Sequence, residues 1–398
     1  MGVIQCVIGF RFSPRFWYHK CVSDPTSLYV HIPFCARKCP YCGFFSRAGC
    51  NELIPAYVDA LKRELAAAPR GLPLRSVYIG GGTPTMLSAG ELADLLRTIG
   101  ELTDLEPGCE FTVEANPGTL DAHKVTALLE GGVNRVSLGA QSFHARTLEA
   151  LGRIHGPDEI RRSVETLRAH GCRNIGLDLM YAVPGQTVEQ WSTDLESAVA
   201  LDAQHISTYG LSFDDGTEFA ERRRHGKLAE APDEAYLEMN DRARERLCAE
   251  GFEHYEISNF ARPGCRSAHN CNYWFNGSYL GIGASAAAFV GGERRTNVAD
   301  IPEYIEKIRS NGSAAVFSER LNPEDFARET AAFNIRYLPG IDRQSFLDRT
   351  GCDLEALFAD MIDSYIGQGL LEYDGEVLRL TTRALPVADS VSAAFLKE

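Results

Sequence analysis

Between Ser27 and Gly251, six short runs rich in β-branched and aromatic residues alternate with amphipathic stretches, and few folds accommodate that order. The runs are Leu28–Phe34, Ser76–Ile79, Phe111–Glu114, Arg135–Gly139, Ile175–Met180 and His205–Leu211. Between the first two, Leu53, Ile54, Tyr57, Val58, Leu61 and Leu65 recur at helical spacing and form one apolar stripe. Strands that alternate with helices pair in parallel through crossover connections, so the pattern predicts an α/β fold. Six units fit a partial (β/α)6 barrel better than the closed barrel of eight. Ser88 with Glu91, and Thr187 with Gln190, have the spacing of capping boxes, and Gly131, Gly171 and Gly251 stand where helices should stop.

The rest of the chain reads differently. Residues 1–26 carry aromatic and basic side chains without a period of 2 or 3.6, and they are expected to be a disordered, dispensable extension. Residues 27–251 then form the core barrel, and the aromatic, Gly/Ala-rich segment 252–310 completes it. From 311 to 398 the pattern is helical with one hairpin. Asn322-Pro323 starts a helix, 353–367 is helical, and Leu370–Tyr373 and Val377–Leu380 flank Asp374-Gly375 as strands around a type I′ turn. Helices plus a hairpin predict a small α+β, winged-helix-like unit.

Such units often bind DNA, but residues 311–398 hold 8 basic and 15 acidic side chains. The whole chain carries a net charge of −14, with Arg222, Arg223 and Arg224 as its one basic run. Neutralising phosphates needs the opposite balance, so no nucleic-acid partner is expected, and the C-terminal unit is read as structural or lid-like. No apolar stretch is long enough for a membrane span, and the apolar start precedes its charges, unlike a signal peptide. The expected location is cytoplasmic.

Of 12 cysteines, nine are scattered as buried thiols usually are. Cys35, Cys39 and Cys42 instead share one loop directly after a strand. Structural zinc prefers four ligands, often as two paired CxxC units, and there is no second unit. Ferredoxin spacing needs a fourth cysteine at a short fixed distance, which Cys50 does not satisfy. Three thiolates on one loop suit a [4Fe-4S] cluster with one iron left open. The run Gly80-Gly81-Gly82-Thr83-Pro84-Thr85 ends the second strand, where missing Cβ atoms let backbone approach a ligand. Glu114, Gln141 and Asp178 end or follow strands that are otherwise apolar, and Arg153 follows the fourth. At successive strand tops they converge on one cleft.

The CxxxCxxC loop and the strands around it resemble the radical S-adenosylmethionine (SAM) superfamily. That resemblance implies a [4Fe-4S] cluster on Cys35, Cys39 and Cys42 whose open iron chelates S-adenosyl-L-methionine and, when reduced, cleaves it to a deoxyadenosyl radical. By similarity to the coproporphyrinogen-oxidase-like branch, Tyr29, Gly81, Gly82, Thr83, Glu114, Gln141, Arg153 and Asp178 are implied SAM contacts.

Oxygen-independent coproporphyrinogen III oxidases carry a fourth cysteine two residues after the third, and here that position is Phe44. His269-Asn270-Cys271-Asn272-Tyr273-Trp274 fits the HNxxYW motif of the HemW-type heme chaperones, and Glu253–Phe260 is similar to that family's preceding segment. His269 offers an imidazole nitrogen to heme iron, while Tyr273 and Trp274 offer flat apolar faces to a porphyrin. Gly281, Gly283, Ala284, Ser285, Ala286 and Ala287 would let a flat ligand or another backbone lie close. The resemblance implies a heme chaperone that binds cluster, SAM and heme and passes heme to respiratory heme proteins at the membrane. The alternative is the oxidase, an enzyme of porphyrin biosynthesis.

Overall fold

The computed structural model describes residues 26–69 and 71–396. The extension expected over residues 1–26 lies outside them except for Thr26, whose backbone already bonds Ser278 and Arg75. All six expected strands form: β1 (Ser27–Ile32), β2 (Leu72–Gly81), β3 (Thr103–Ala115), β4 (Arg135–Gln141), β5 (Asn174–Tyr181) and β6 (His205–Gly210). They pair in parallel in chain order. The segment after Gly251 adds β7 (Glu253–Glu256), β8 (Asn259–Ala261) and β9 (Leu280–Ile282). β8 and β7 extend the sheet antiparallel beyond β6, and β9 pairs parallel with β1. The two ends of this nine-stranded sheet do not pair, so the barrel is open.

Residue alternation sets what each face meets. Leu28, Val30 and Ile32 join the apolar cluster that includes Tyr57, Leu61 and Leu65 of α1 (Ile54–Ala67), whereas Tyr29 and His31 bond each other. The crossover helices are α2 (Ala89–Leu102), α3 (Ala122–Glu130), α4 (Pro157–Ala169), α5 (Val188–Ala200) and α6 (Asp233–Ala249). Both expected capping boxes form, at Ser88 and Thr187. Gly131 caps α3, and Gly171 and Gly251 turn left-handed just beyond α4 and α6.

A short helix, α7 (Ala268–Trp274), closes the end of the barrel where the strands begin. Glu110 of β3 fixes it there, accepting from Ser267 Oγ, Ala268 N and His269 N at 3.2, 2.8 and 3.1 Å. A carboxylate at a helix N-terminus satisfies its unpaired donors. The small residues that follow serve backbone packing: a Cβ on Gly281 would lie 1.7 Å from the Ala287 carbonyl oxygen.

β10 (Ala287–Val290), β11 (Glu293–Asn297) and β12 (Ala315–Arg320) make a separate antiparallel sheet, and α8 (Ile301–Asn311) packs on α1 through Tyr304 and Glu64. Then come α9 (Pro323–Asn334), β13 (Ile341–Asp342), α10 (Arg343–Thr350), α11 (Leu354–Gly367), β14 (Leu371–Tyr373), β15 (Val377–Leu380) and α12 (Ala388–Ala393). The strand order β13-β15-β14 and a core of its own, with Phe346, Phe358 and Phe395, define the winged-helix-like unit. Its hairpin departs from the expected type I′ turn. Tyr373 pairs with Leu378, and only Gly375 of the two turn residues has positive φ. Asp374 makes the turn instead by accepting from Glu376 N and Val377 N.

Candidate functional site

The loop after β1 and the loop after β2 are laced together. Gly82 N bonds the Ile32 carbonyl at 2.9 Å and Thr83 N the Phe34 carbonyl at 2.8 Å. The glycines are needed for this approach: a Cβ on Gly82 would lie 2.8 Å from Phe34 O and 3.0 Å from Cys35 Sγ, and one on Gly81 (φ 114°) 2.5 Å from the His31 ring. Thr83 Oγ1 reaches Cys35 Sγ at 3.7 Å, and Arg153 Nη1 reaches Cys39 Sγ at 3.5 Å. Burial pushes the Cys35 and Cys42 thiols up, so as thiolates they call for neighbouring positive charge. Among the described residues no three His, Cys, Asp or Glu side chains converge on one point as a single ion requires. A cluster carries its thiolates on separate irons, and the three loop cysteines, which border one cavity, fit it.

That cavity, of about 380 Å³, lies at the ends of the parallel strands. It gathers Cys35, Cys39, Cys42, Gly81, Gly82, Thr83, Glu114, Gln141, Arg153 and Asp178, which the sequence singled out separately. Glu114 is held by Tyr78 OH at 2.7 Å and Gly81 N at 3.0 Å. Burial raises its pKa to about 7, against the opposing bond from Tyr78. Asp178, likewise raised by burial, accepts from Ser137 Oγ at 3.3 Å. Gln141 has a left-handed φ of 66°, strain of a kind that concentrates at ligand sites. Two carboxylates and a guanidinium facing a glycine-lined backbone can bind ribose hydroxyls and an amino-acid group.

Sequence reasoning missed the residues that hold these in place. Asn116 bridges the site, accepting from Arg153 and donating to Thr83 Oγ1 at 2.7 Å. Its signal was a polar residue opening an Asn-Pro-Gly turn directly after β3. Arg135 is buried beneath the cavity, its Nε without a partner and its Nη1 on Thr112 at 3.4 Å. Nothing in a strand-start arginine distinguishes that role.

The structure does not bring the remaining expected residues to this cavity. Tyr29 bonds His31 Nδ1 at 2.9 Å and stacks on Tyr78. His269 is buried, with Nδ1 2.9 Å from Ser76 Oγ and Nε2 3.0 Å from Tyr273 OH. Burial, then Arg135, lowers its pKa to about 3, so the ring is neutral. Tyr273 and Trp274 border a second cavity, between α7 and the C-terminal unit.

Residues 29–198 match the Radical SAM superfamily and residues 321–387 the HemN C-terminal domain. The solved coproporphyrinogen III oxidase HemN of Escherichia coli superposes with a TM-score of 0.81 over 96% of this chain and 92% of that one, at 22% identity, so the fold is shared. Fold and site define a radical SAM, HemN-like protein, a class that implies a [4Fe-4S] cluster and SAM. Among relatives, the heme chaperone HemW of Lactococcus lactis is 37% identical over 94% of this chain and 98% of its own. Those of Bacillus subtilis and Escherichia coli are 36% and 34% identical, each over 94% of this chain and 99% of theirs. The chain belongs to the heme chaperone HemW family. Among the described residues no helix is long and apolar enough to cross a membrane.

Proposed function

We propose that this protein binds heme and hands it to an acceptor protein, carrying a [4Fe-4S] cluster on Cys35, Cys39 and Cys42 and SAM against Gly81, Gly82, Thr83, Glu114, Gln141, Arg153 and Asp178. The observation that carries this reading is the near-full-length kinship, at 33–37% identity, with proteins named for that activity. Phe44, 70% exposed on the cluster loop where the oxidases have a cysteine, speaks against the oxidase. With both ring nitrogens engaged, His269 acts by holding Tyr273 rather than as the iron ligand the motif suggests. Tyr29 supports the ring stack instead of touching SAM. The proposed acceptors are respiratory heme proteins at the membrane, reached from the cytoplasm.

The test is to purify the protein anaerobically with its cluster and supply heme and coproporphyrinogen III separately. Heme should be bound unchanged and coproporphyrinogen III left intact with SAM and a reduced cluster. Formation of protoporphyrinogen IX would make the protein an oxidase.

A further inference from the structure

Strand alternation puts Arg135 on the lumen side of the barrel, among the groups that wall the cluster cavity. It starts β4 opposite Thr112, and two residues further on Ser137 pairs with Glu114 of β3 and Gly176 of β5. Because residues i and i+2 share a face, Glu114 and Asp178 stand above it on the two neighbouring strands, nearer the strand ends. Gly176 makes the room: a Cβ there would lie 3.3 Å from Arg135 Nη2. The side chain is 1% exposed, yet Nε has no partner and the bond from Nη1 to Thr112 Oγ1 is long, at 3.4 Å. A buried cation without a bonded carboxylate is costly, and nearby negative charge is what offsets the cost.

Most of its surroundings carry no charge. Burial lowers the pKa of His205 and of His269, so both rings are neutral. It raises Tyr29, Tyr78, Tyr209, Tyr255, Tyr273 and the Cys265 thiol, so these stay protonated. Arg37 and Asp214 lie at the exposed mouth of the cavity. Of the charged groups deeper down, Arg153 is committed to Cys39 and Asn116, and Glu110 to the start of α7. Arg135 is then the cation beneath Glu114 and Asp178. Burial pushes Glu114 up to about 7 even with that guanidinium acting in the other direction.

Resting on the SAM reading above, we infer that Arg135 is a positioning residue of the SAM site: from the floor of the cavity it keeps Glu114 and Asp178 ionised, ready to accept ribose hydroxyls, without touching the ligand itself. A protonated carboxyl gives up part of its accepting capacity to a proton of its own, so the ribose would meet a donor where it needs an acceptor. A guanidinium suits this place because it stays charged when buried.

The test is calorimetric titration of SAM and of 5′-methylthioadenosine into the anaerobic, cluster-loaded, full-length protein between pH 6 and 9. The nucleoside has the ribose but no group that titrates in this range. Its affinity for the native protein should fall as pH drops through about 7. In Arg135→Met the carboxylates hold their protons to higher pH, so affinity for both probes should be about tenfold weaker at pH 7, for a shift of about one pKa unit, and recover towards native at pH 9. Arg135→Lys should stay within about twofold of native, the charge being kept. Thr112→Val, which removes the guanidinium's hydrogen bond and not its charge, should bind as native. A loss in Arg135→Met that is equal at every pH, or an equal loss in Arg135→Lys, would make the residue merely structural and overturn the inference. So would a flat native profile, which can be read even where Arg135→Met does not fold. A native protein that binds neither probe at any pH would overturn the SAM reading itself.

Discussion

His269 Nε2 lies 3.0 Å from the hydroxyl of Tyr273, one turn further along α7. With Ser76 on the other ring nitrogen, the imidazole joins a strand of the barrel to the aromatic end of the helix. In this structure the motif histidine is a buried strut between the two.

Truncating that strut has two separable effects. His269→Ala leaves Ser76 and Tyr273 facing an empty, buried space and should cost about 2 kcal/mol in denaturant unfolding. Heme affinity should fall as Tyr273 loses its anchor, yet the Soret position should stay. A spectrum that reports loss of a nitrogen ligand would restore His269 to the iron.

Cluster loading should depend on three thiols and not on their neighbour. Cys35→Ala, Cys39→Ala and Cys42→Ala should each abolish the broad visible absorbance after reconstitution with iron and sulfide, and Cys50→Ala should retain it. Cluster lost from Cys50→Ala but kept in any of the three would redraw the ligand set.

Gly82→Ala probes the lacing of the two loops. Its methyl would lie 3.0 Å from Cys35 Sγ and 2.8 Å from the Phe34 carbonyl, backbone that cannot easily give way. Iron content per protein should fall several-fold, whereas Gly90→Ala, which has nothing within 4 Å, should load normally. Equal iron in both variants would mean the glycine serves only the chain's own turn.

Glu256 sits fully buried at the barrel edge, and burial raises its pKa to about 7. Unfolded, it titrates near 4.3. Between those values the native state binds the extra proton, so this group lowers stability as pH rises through that window. Glu256→Gln removes the dependence, and its stability relative to the native protein should improve from pH 5 to pH 8 by about 1–3 kcal/mol. A pH-independent difference in urea midpoints would refute the assignment.

The strands were legible because each is a compact apolar run, and the site residues because polar side chains at strand ends break that run. Glu114, Gln141 and Asp178 were found this way, Cys35 by the spacing of three thiols on one loop and Gly82 by its glycine run, and one cavity collects them. What escaped depends on partners far along the chain. His269 meets Ser76 across 193 residues, and Asn116 is defined by Arg153 and Thr83 rather than by its own neighbours. Two readings of the small residues from Gly281 onward had been open, and the close pass of Gly281, within β9, by Ala287 selects backbone over ligand. The type I′ turn failed because the Asp374 side chain, invisible to a dipeptide rule, offers the backbone a different closure.

The helix that closes the barrel is seven residues long, and Asn270 borders the chamber above it while Tyr273 and Trp274 border the one below. It is a party wall two turns thick, pinned at one end by the Glu110 carboxylate. One short helix thus supplies lining to both compartments, so a substitution in it touches each of them.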